Sequence, residues 1–495
     1  MHFVELWSLR EDTLIEFNEG EAVITTRWGE VRFCEPGPAL RTTLERMSFG
    51  PISLRNADYD STDLDPLQHV IVRSLATADG IPLLSATPIS SKASFSPVPL
   101  DPGATLRLSR FAQIRMVGDR LRVESALSAY RVDLHTTEAF LLVSCFGSVS
   151  SPEDASARLG LSKELTRAAA EYLIAAGMVI SGVPGEGFAE DRDSALVTWS
   201  PHALMMHSRS RLGRHDDPFG ATFPHAGRLD PDPPVKEPSG RLVIRLPRPD
   251  LERLLDRDPP VTAVLEARRS VREFGDRQLT LSQIGELLYR TARVRSLTKA
   301  ASSDPIPVPR SSRPYPSTGG AYALELYLAV SDCAGLQRDV YFYDPLSHAL
   351  YTTGASEEAL GELLDDARVS AGLPAEPPVL IVITARFRRM NWQYEGLAYS
   401  ALLKDVGVLM QTLYLVCTAM RLGCCALAAG DGDLSARALG TDWRLESSIG
   451  EFVLGSLPTG VTPDDDLLLS VNDHDWRQSC AEEIRRRTTA HRGRS

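Results

Sequence analysis

Residues 396–432 read GLAYSALLKDVGVLMQTLYLVCTAMRLGCCALAAGDG. Helix formers open this stretch, and an almost unbroken apolar run continues through Val406, Leu409, Leu413, Val416 and Met420. Further apolar residues fill the positions between, so the expected helix is buried on nearly every side rather than along one stripe. Lys404, Asp405, Gln411, Thr412 and Arg421 interrupt it, whereas a membrane span needs about 20 mostly apolar residues. Such a helix in a soluble chain is either the axis of a large domain or half of an oligomer interface. Gly423 and then Ala428, Ala429 and Gly430 are expected to close it, with small residues that let a ligand approach the backbone.

The rest of the chain supplies the setting. Its 495 residues suggest about three domains, and 43% hydrophobic content is enough for sizeable cores. A net charge of -12 argues against a general nucleic-acid binder. The basic run at 485–494 reads as a solvated tail. Seven cysteines, odd in number and without CxxC pairs, point away from a zinc site and towards a reduced, cytoplasmic setting. The opening MHFVELWSLRED carries charge too early for a secretion signal. The expectation is a soluble protein with no metal, no nucleic acid and no membrane.

The front half reads as a repeat. Alternating runs at 21–31 form an expected strand pair, helical runs follow at 39–47 and 67–78, and Gly80 leads into apolar 81–84. The Pro/Ser stretch 87–103 reads as a linker. The same order then returns: a hairpin at 113–123, helices at 137–145, 151–159 and 165–176, and a strand at 178–181. Ser151 followed by Pro152 marks one helix start. Helix, helix, helix, strand is the winged helix-turn-helix order, which gives winged-helix-like modules at 1–87 and 104–182. The second offers only Lys163 and Arg167 beside Glu164 and Glu171 on its last helix. That is too little positive charge to grip phosphates, so peptide recognition is the better reading. Residues 183–240, Pro- and Gly-rich, read as an irregular linker.

From 241 onward the punctuation is α+β. Helices are expected at 261–268 and 281–290, a strand at 324–330, a hairpin of 340–343 with 349–351, and buried strands at 378–384 and 451–455. No Walker A loop, GxGxxG, HExxH or GxSxG is present. What remains is Arg268-Arg269-Ser270-Val271-Arg272, whose guanidinium forks beside a hydroxyl suit a phosphate dianion. Further on, Pro316-Ser317-Thr318-Gly319-Gly320 is a rigid turn running into glycines that can present backbone N–H groups.

RRSVR, PSTGG and the helix KDVG…Q…LG…G, in this order, resemble the nitroreductase superfamily of FMN-dependent oxidoreductases. Within it the chain resembles the SagB-type azoline dehydrogenases, which oxidise thiazolines and oxazolines to azoles in ribosomally made peptides. The resemblance covers roughly 200–460. It implies an α+β nitroreductase-like sandwich over 241–495, assembled as an intertwined homodimer with the apolar helix at the interface. It also implies a precursor peptide as substrate and a cyclodehydratase complex as partner. Arg268, Ser270 and Arg272 would hold FMN, with Arg269 adjacent, and Ser317, Thr318 and Gly319 would reach the flavin of the partner subunit. Ala429 and Gly430 would line its ring, and Gln411 either contacts flavin or is an interface residue. Where many relatives carry Lys-Tyr, this chain has Gln393-Tyr394. Tyr394 alone handles the proton, or Lys404 substitutes, or this branch works differently.

Overall fold

The computed structural model describes residues 3–54, 61–101, 103–299, 306–458 and 474–490. The chain divides into two compact units, Met1–Pro218 and Phe219–Ser495. The boundary falls inside the segment expected to be a linker.

In the first unit, β1 (Phe3–Leu9) is followed by the meander β2 (Leu14–Asn18), β3 (Glu21–Thr26) and β4 (Gly29–Cys34). Helix α1 (Pro38–Phe49) then leads through a 3-10 turn at Ser61–Leu67 to β5 (Ile71–Thr77) and β6 (Pro82–Pro88). Strands β7 (Leu106–Leu108), β8 (Ala112–Val117), β9 (Arg120–Ser125) and β10 (Tyr130–Leu134) come next. Helices α2 (Thr137–Cys145), α3 (Pro152–Leu159) and α4 (Lys163–Ala175), strand β11 (Val179–Ser181) and helix α5 (Pro201–Arg209) complete it. Ser151 and Asp154 close a reciprocal capping box on α3, and the Ser162 hydroxyl caps α4.

Four expectations change here. The run at 67–78 is not a helix: β5 pairs antiparallel with β1 (Leu9↔Ile71 to Phe3↔Thr77) and with β6 on its other side. Pairing partners distant in sequence override a local spacing that suits either state, so the first segment has one α-helix instead of the two expected. Nor are there two separate modules, because one sheet, ordered β1-β5-β6-β10-β9-β8, runs through both. The expected linker at 87–103 is packed: Phe95 is buried with its ring edge-on to Tyr130 (5.4 Å) and Tyr172 (5.0 Å). The polar run before Pro218 is ordered too, since it carries α5 and the buried Asp216. That carboxylate bonds Arg10 at 2.8 Å and Arg131 at 2.7 Å.

In the second unit, β12 (Leu242–Arg245), α6 (Leu251–Arg257), α7 (Val261–Ala267), β13 (Leu279–Thr280) and α8 (Leu281–Ala292) come first. Strands β14 (Ser296–Thr298), β15 (Arg310–Ser312), β16 (Leu324–Val330), β17 (Cys333–Ala334), β18 (Asp339–Asp344) and β19 (Ala349–Thr352) follow. The chain continues as α9 (Glu357–Ala371), β20 (Val379–Arg386), α10 (Phe387–Asn391), α11 (Ala398–Met420) and β21 (Leu422–Leu427). It ends with α12 (Gly432–Leu439), β22 (Glu446–Ser456) and α13 (His474–Ala490). The main sheet, β12-β19-β18-β16-β20-β22-β21, is antiparallel at every step.

Strand side chains alternate between faces, and that alternation builds two cores. Leu326, Leu328, Ile381, Ile383 and Phe452 pack with α8 and α11 on one face. Tyr327, Ala329, Leu380, Val382 and Val453 pack with α9 and α12 on the other. The result is a helix–sheet–helix sandwich.

Helix α11 is buried along one face, by Leu402, Asp405, Val406, Leu409, Leu413 and Cys417, and not on nearly every side. Tyr399, Leu403, Lys404, Gly407, Val408 and Gln411 are exposed. By length and composition alone α11 could cross a membrane, yet its inner face is part of the core. Its end also differs from expectation. Arg421, at φ 57°, terminates the helix, its N–H turning back to Cys417 and Thr418 carbonyls. Gly423 is instead a strand residue, where a Cβ would crowd Phe274, Val271 and the Ser456 carbonyl at 3.1–3.2 Å.

The stretch 219–240 is part of this unit and straps it. Gly220 and Glu395 exchange backbone bonds, Trp392 Nε1 donates to the Leu229 carbonyl at 2.7 Å, and Arg389 donates to the Asp232 carbonyl at 2.7 Å. At its end Lys236 Nζ donates to the Tyr327 hydroxyl at 2.6 Å and pairs with the buried Glu446.

Candidate functional site

The arginine motif begins where α7 ends. Arg268 is the C-cap, and the chain then runs extended beside β21, with the Val271 N–H donating to the Cys424 carbonyl at 2.8 Å. Val271 points inward, while Arg269, Ser270 and Arg272 are exposed. Tyr414 of α11 ties the motif down. Its hydroxyl pairs with Ser270 Oγ at 2.8 Å and accepts the Ala426 N–H at 2.7 Å, and the Arg268 guanidinium lies 5.1 Å from its ring centre. Burial raises the Tyr414 phenol, against the lowering effect of the bonds from Ser270 and Ala426. Ser270 is thereby fixed to the strand that runs on to Ala429 and Gly430.

Ala428, Ala429 and Gly430 are exposed. Behind Gly430 stands the buried Glu451, and a Cβ on Gly430 would press on its carboxyl oxygens at 2.6–2.7 Å. Burial raises the Glu451 carboxyl, although the Ser448 hydroxyl donates to it.

The PSTGG turn is held by one buried carboxylate. Asp405 accepts from Ser317 Oγ at 2.7 Å, from Thr318 Oγ1 at 2.8 Å and from the Thr318 N–H at 3.1 Å. The turn's other flank hangs on buried arginines: Arg389 donates to the Ala321 carbonyl and Arg313 to the Leu324 carbonyl at 3.1 Å. Burial, with Arg386 and Arg313 nearby, lowers Arg389 to about 10. Gly319 sits at φ +56° against Tyr394, so that a Cβ there would overlap the Tyr394 hydroxyl. Gln393 Nε2 donates to that hydroxyl at 3.1 Å.

Burial raises the Tyr394 phenol, and the Arg310 guanidinium acts in the opposite sense. The cation acting on Tyr394 is therefore Arg310 of β15, and desolvation outweighs it. Lys404 is exposed on α11, next to the buried Asp405 in sequence.

Two groups result. Arg268 and Ser270 meet at Tyr414, beside the strand leading to Ala429 and Gly430. Ser317, Thr318 and Gly319 meet at Asp405 and Tyr394. Asp405 and Tyr414 are nine positions apart on α11, about 13 Å along its axis. The exposed Lys404 and Gln411 are in neither group. Asp405, Tyr414, Arg310 and Glu451 are the residues that sequence reasoning missed. Asp405 had a signal, a carboxylate inside an apolar helix; Tyr414 had none. Among the described residues no cluster of His, Cys, Asp and Glu could hold a metal ion.

Comparison with known proteins agrees with this architecture. Residues 265–456 match the Nitroreductase family, and residues 106–216 match the family described as Cyanobactin oxidase ThcOx. The chain is 29% identical over 187 residues to a protein described as a nitroreductase from Methanocaldococcus jannaschii, covering 38% of this chain and 85% of that one. Among solved structures, a nitroreductase-type protein from Ralstonia eutropha is 21% identical, with 47% of this chain and 100% of that chain covered and a TM-score of 0.34. A chain of the E. coli microcin synthetase McbBCD complex with truncated pro-MccB17 bound is 19% identical, with 52% and 92% covered and a TM-score of 0.32. The second unit thus carries a nitroreductase-like domain of mixed α/β content.

Proposed function

We propose that the protein is an FMN-dependent dehydrogenase that oxidises azolines to azoles in a ribosomally made peptide, working as a homodimer. The observation that carries this reading is the pair of half-sites on α11, separated along the helix beside an exposed face that carries Tyr399, Leu403 and Val408. A two-fold axis across that face would let the arginine half-site of one subunit complete the PSTGG half-site of its partner. The match of residues 106–216 to a cyanobactin oxidase family supports a peptide substrate.

The residues fit a flavin mononucleotide. Arg269, Ser270 and Arg272 are exposed donors, and Gly430 and Gly319, backed by Glu451 and Tyr394, leave bare backbone where no side chain fits. Arg268, Ser270 and Arg272 would hold the phosphate, ribityl and pyrimidine groups, with Ala429 and Gly430 beside the ring. Ser317, Thr318 and Gly319 would serve the symmetry-related site. Bound FMN supplies the acceptor for the two electrons and one hydrogen that leave the azoline.

The chain's own residues then bind the peptide, exclude water and manage the remaining proton. Tyr394 Oη already receives a bond from Gln393, so its own hydrogen is available to a substrate atom. Only its ionised fraction can act as base, a fraction that Arg310 enlarges and burial reduces. The test is mass spectrometry of the purified yellow protein incubated with an azoline-containing peptide. The expected result is loss of two hydrogen atoms per ring; flavin-loaded protein that leaves the peptide mass unchanged would overturn the assignment.

A further inference from the structure

The first unit contains a cavity that the oxidation chemistry does not use. It measures about 240 Å³ and is lined by Trp7, Leu64, Asp65, Gln68, Ile71, Arg73 and Phe95. At about 30 Å³ per water it has room for about eight, or for one long side chain.

Arg73 dominates it. The residue is 9% exposed, its guanidinium carbon stands 3.4 Å from the Trp7 ring centre and 5.1 Å from that of Phe95, and its Nε has no hydrogen-bond partner among the described residues. The nearest carboxylate, Glu5, is 3.8 Å away and partly solvated. Strand register fixes this arrangement, because Trp7 of β1 lies directly opposite Arg73 of β5. Burial lowers the Arg73 guanidinium below its ordinary range, against the opposing effect of Tyr172 and Glu5; a buried cation whose one carboxylate partner is distant and partly solvated gains from an incoming anion. On the rim, Asp65 is already engaged by Gln68 Nε2 at 2.8 Å, and Gln68 Oε1 accepts the Phe95 N–H at 2.9 Å. Leu64, Ile71 and the aromatic rings offer apolar walls for a methylene stem.

We propose that this cavity binds a glutamate side chain of a peptide, its carboxylate on Arg73 and its stem between Trp7 and Phe95. That the occupant is a peptide rests on the peptide reading above. The carboxylate specificity rests on Arg73 alone.

The experiment titrates the full-length, flavin-loaded protein calorimetrically with three probes. They are acetyl-Leu-Glu-Ala-Leu-Glu-Leu-amide, the same peptide with Gln for each Glu, and glutarate. The expected result is at least tenfold tighter binding of the Glu peptide than of the Gln peptide. Arg73→Met should abolish that preference, and Asp65→Asn, an exposed change that leaves the core intact, should tighten the Glu peptide further. Equal affinity for the two peptides, or a preference that survives Arg73→Met, overturns the proposal. Glutarate binding as tightly as the Glu peptide would make the occupant a free dicarboxylate and overturn its peptide part. Azoline oxidation is measured on the same preparations. A failed preference with intact oxidation rejects the cavity assignment alone, and the reverse outcome rejects the enzymatic reading alone.

Discussion

The Asp405 carboxylate holds Thr318 twice, by the backbone N–H at 3.1 Å and by the hydroxyl at 2.8 Å. One side chain on α11 thereby sets the conformation of a turn far away in sequence. Asp405→Ala leaves those donors without their acceptor in a buried place, which costs about 2–4 kcal/mol. Thermal unfolding should show the loss, and bound flavin absorbance should fall with it, while Asp405→Asn should lose less of both. Parent-like flavin content in Asp405→Ala would show that the turn does not support the cofactor.

Tyr394 gives a pH signature. Its phenol is raised by burial and opposed by Arg310, so a rate that depends on the phenolate should climb with pH across the whole range up to 10. Arg310→Met removes the opposing cation and should move that ascent to higher pH, with flavin content unchanged. Tyr394→Phe should keep flavin and slow anaerobic flavin bleaching by azoline peptide about 10²–10⁴-fold. Bleaching at the parent rate would take Tyr394 out of the mechanism.

Glu451 links stability to pH in the opposite sense from a salt-bridged acid. Its folded-state value is raised by burial, so the unfolded chain ionises first, near pH 4.3 for an ordinary glutamate. Below that pH both states are protonated and the residue costs nothing; as pH rises through the folded value, stability is lost. Glu451→Gln should therefore melt increasingly above the parent as pH goes from 4 to 8. A difference in melting temperature that stays flat with pH would contradict the shift.

The exposed face of α11 calls for surface probes. Leu409 and Leu413 are core residues, and an aspartate there would unfold the unit. Leu403→Asp and Val408→Asp change residues that are 41% and 36% exposed and should leave the fold intact. Light scattering is expected to show dimer for the parent and monomer for the double variant, with flavin lost in step. A double variant that stays dimeric would place the interface elsewhere.

Much of the second unit was legible. Val379–Ile383 announces itself as an unbroken apolar, largely β-branched run, Leu324–Val330 as an apolar run broken by Glu325 alone, and the helix at 398–420 by its length. Strand β21 did not, because Leu-Gly-Cys-Cys-Ala-Leu has no strand periodicity and follows a helix across a single left-handed arginine. The ligand-facing motifs RRSVR and PSTGG were visible as residue types. Their anchors were not, since Tyr414 and Asp405 become anchors only when chain segments far apart in sequence meet. The first unit was harder for the same reason: β5 is a strand because β1 and β6 flank it.

The pairing of β10 with β6, Tyr130↔Pro88 to Leu134↔Leu84, means the front half has no seam at which it can be cut. A truncation at residue 104 would strip β10 of its neighbour and bare a row of unsatisfied backbone groups beside the apolar Val132 and Leu134, the kind of open edge on which chains aggregate. Amide hydrogens on both sides of residues 87–103 should accordingly exchange together, as one opening unit. The shortest N-terminal deletion that leaves no torn strand ladder removes every strand of the first unit, through Ser181 of β11.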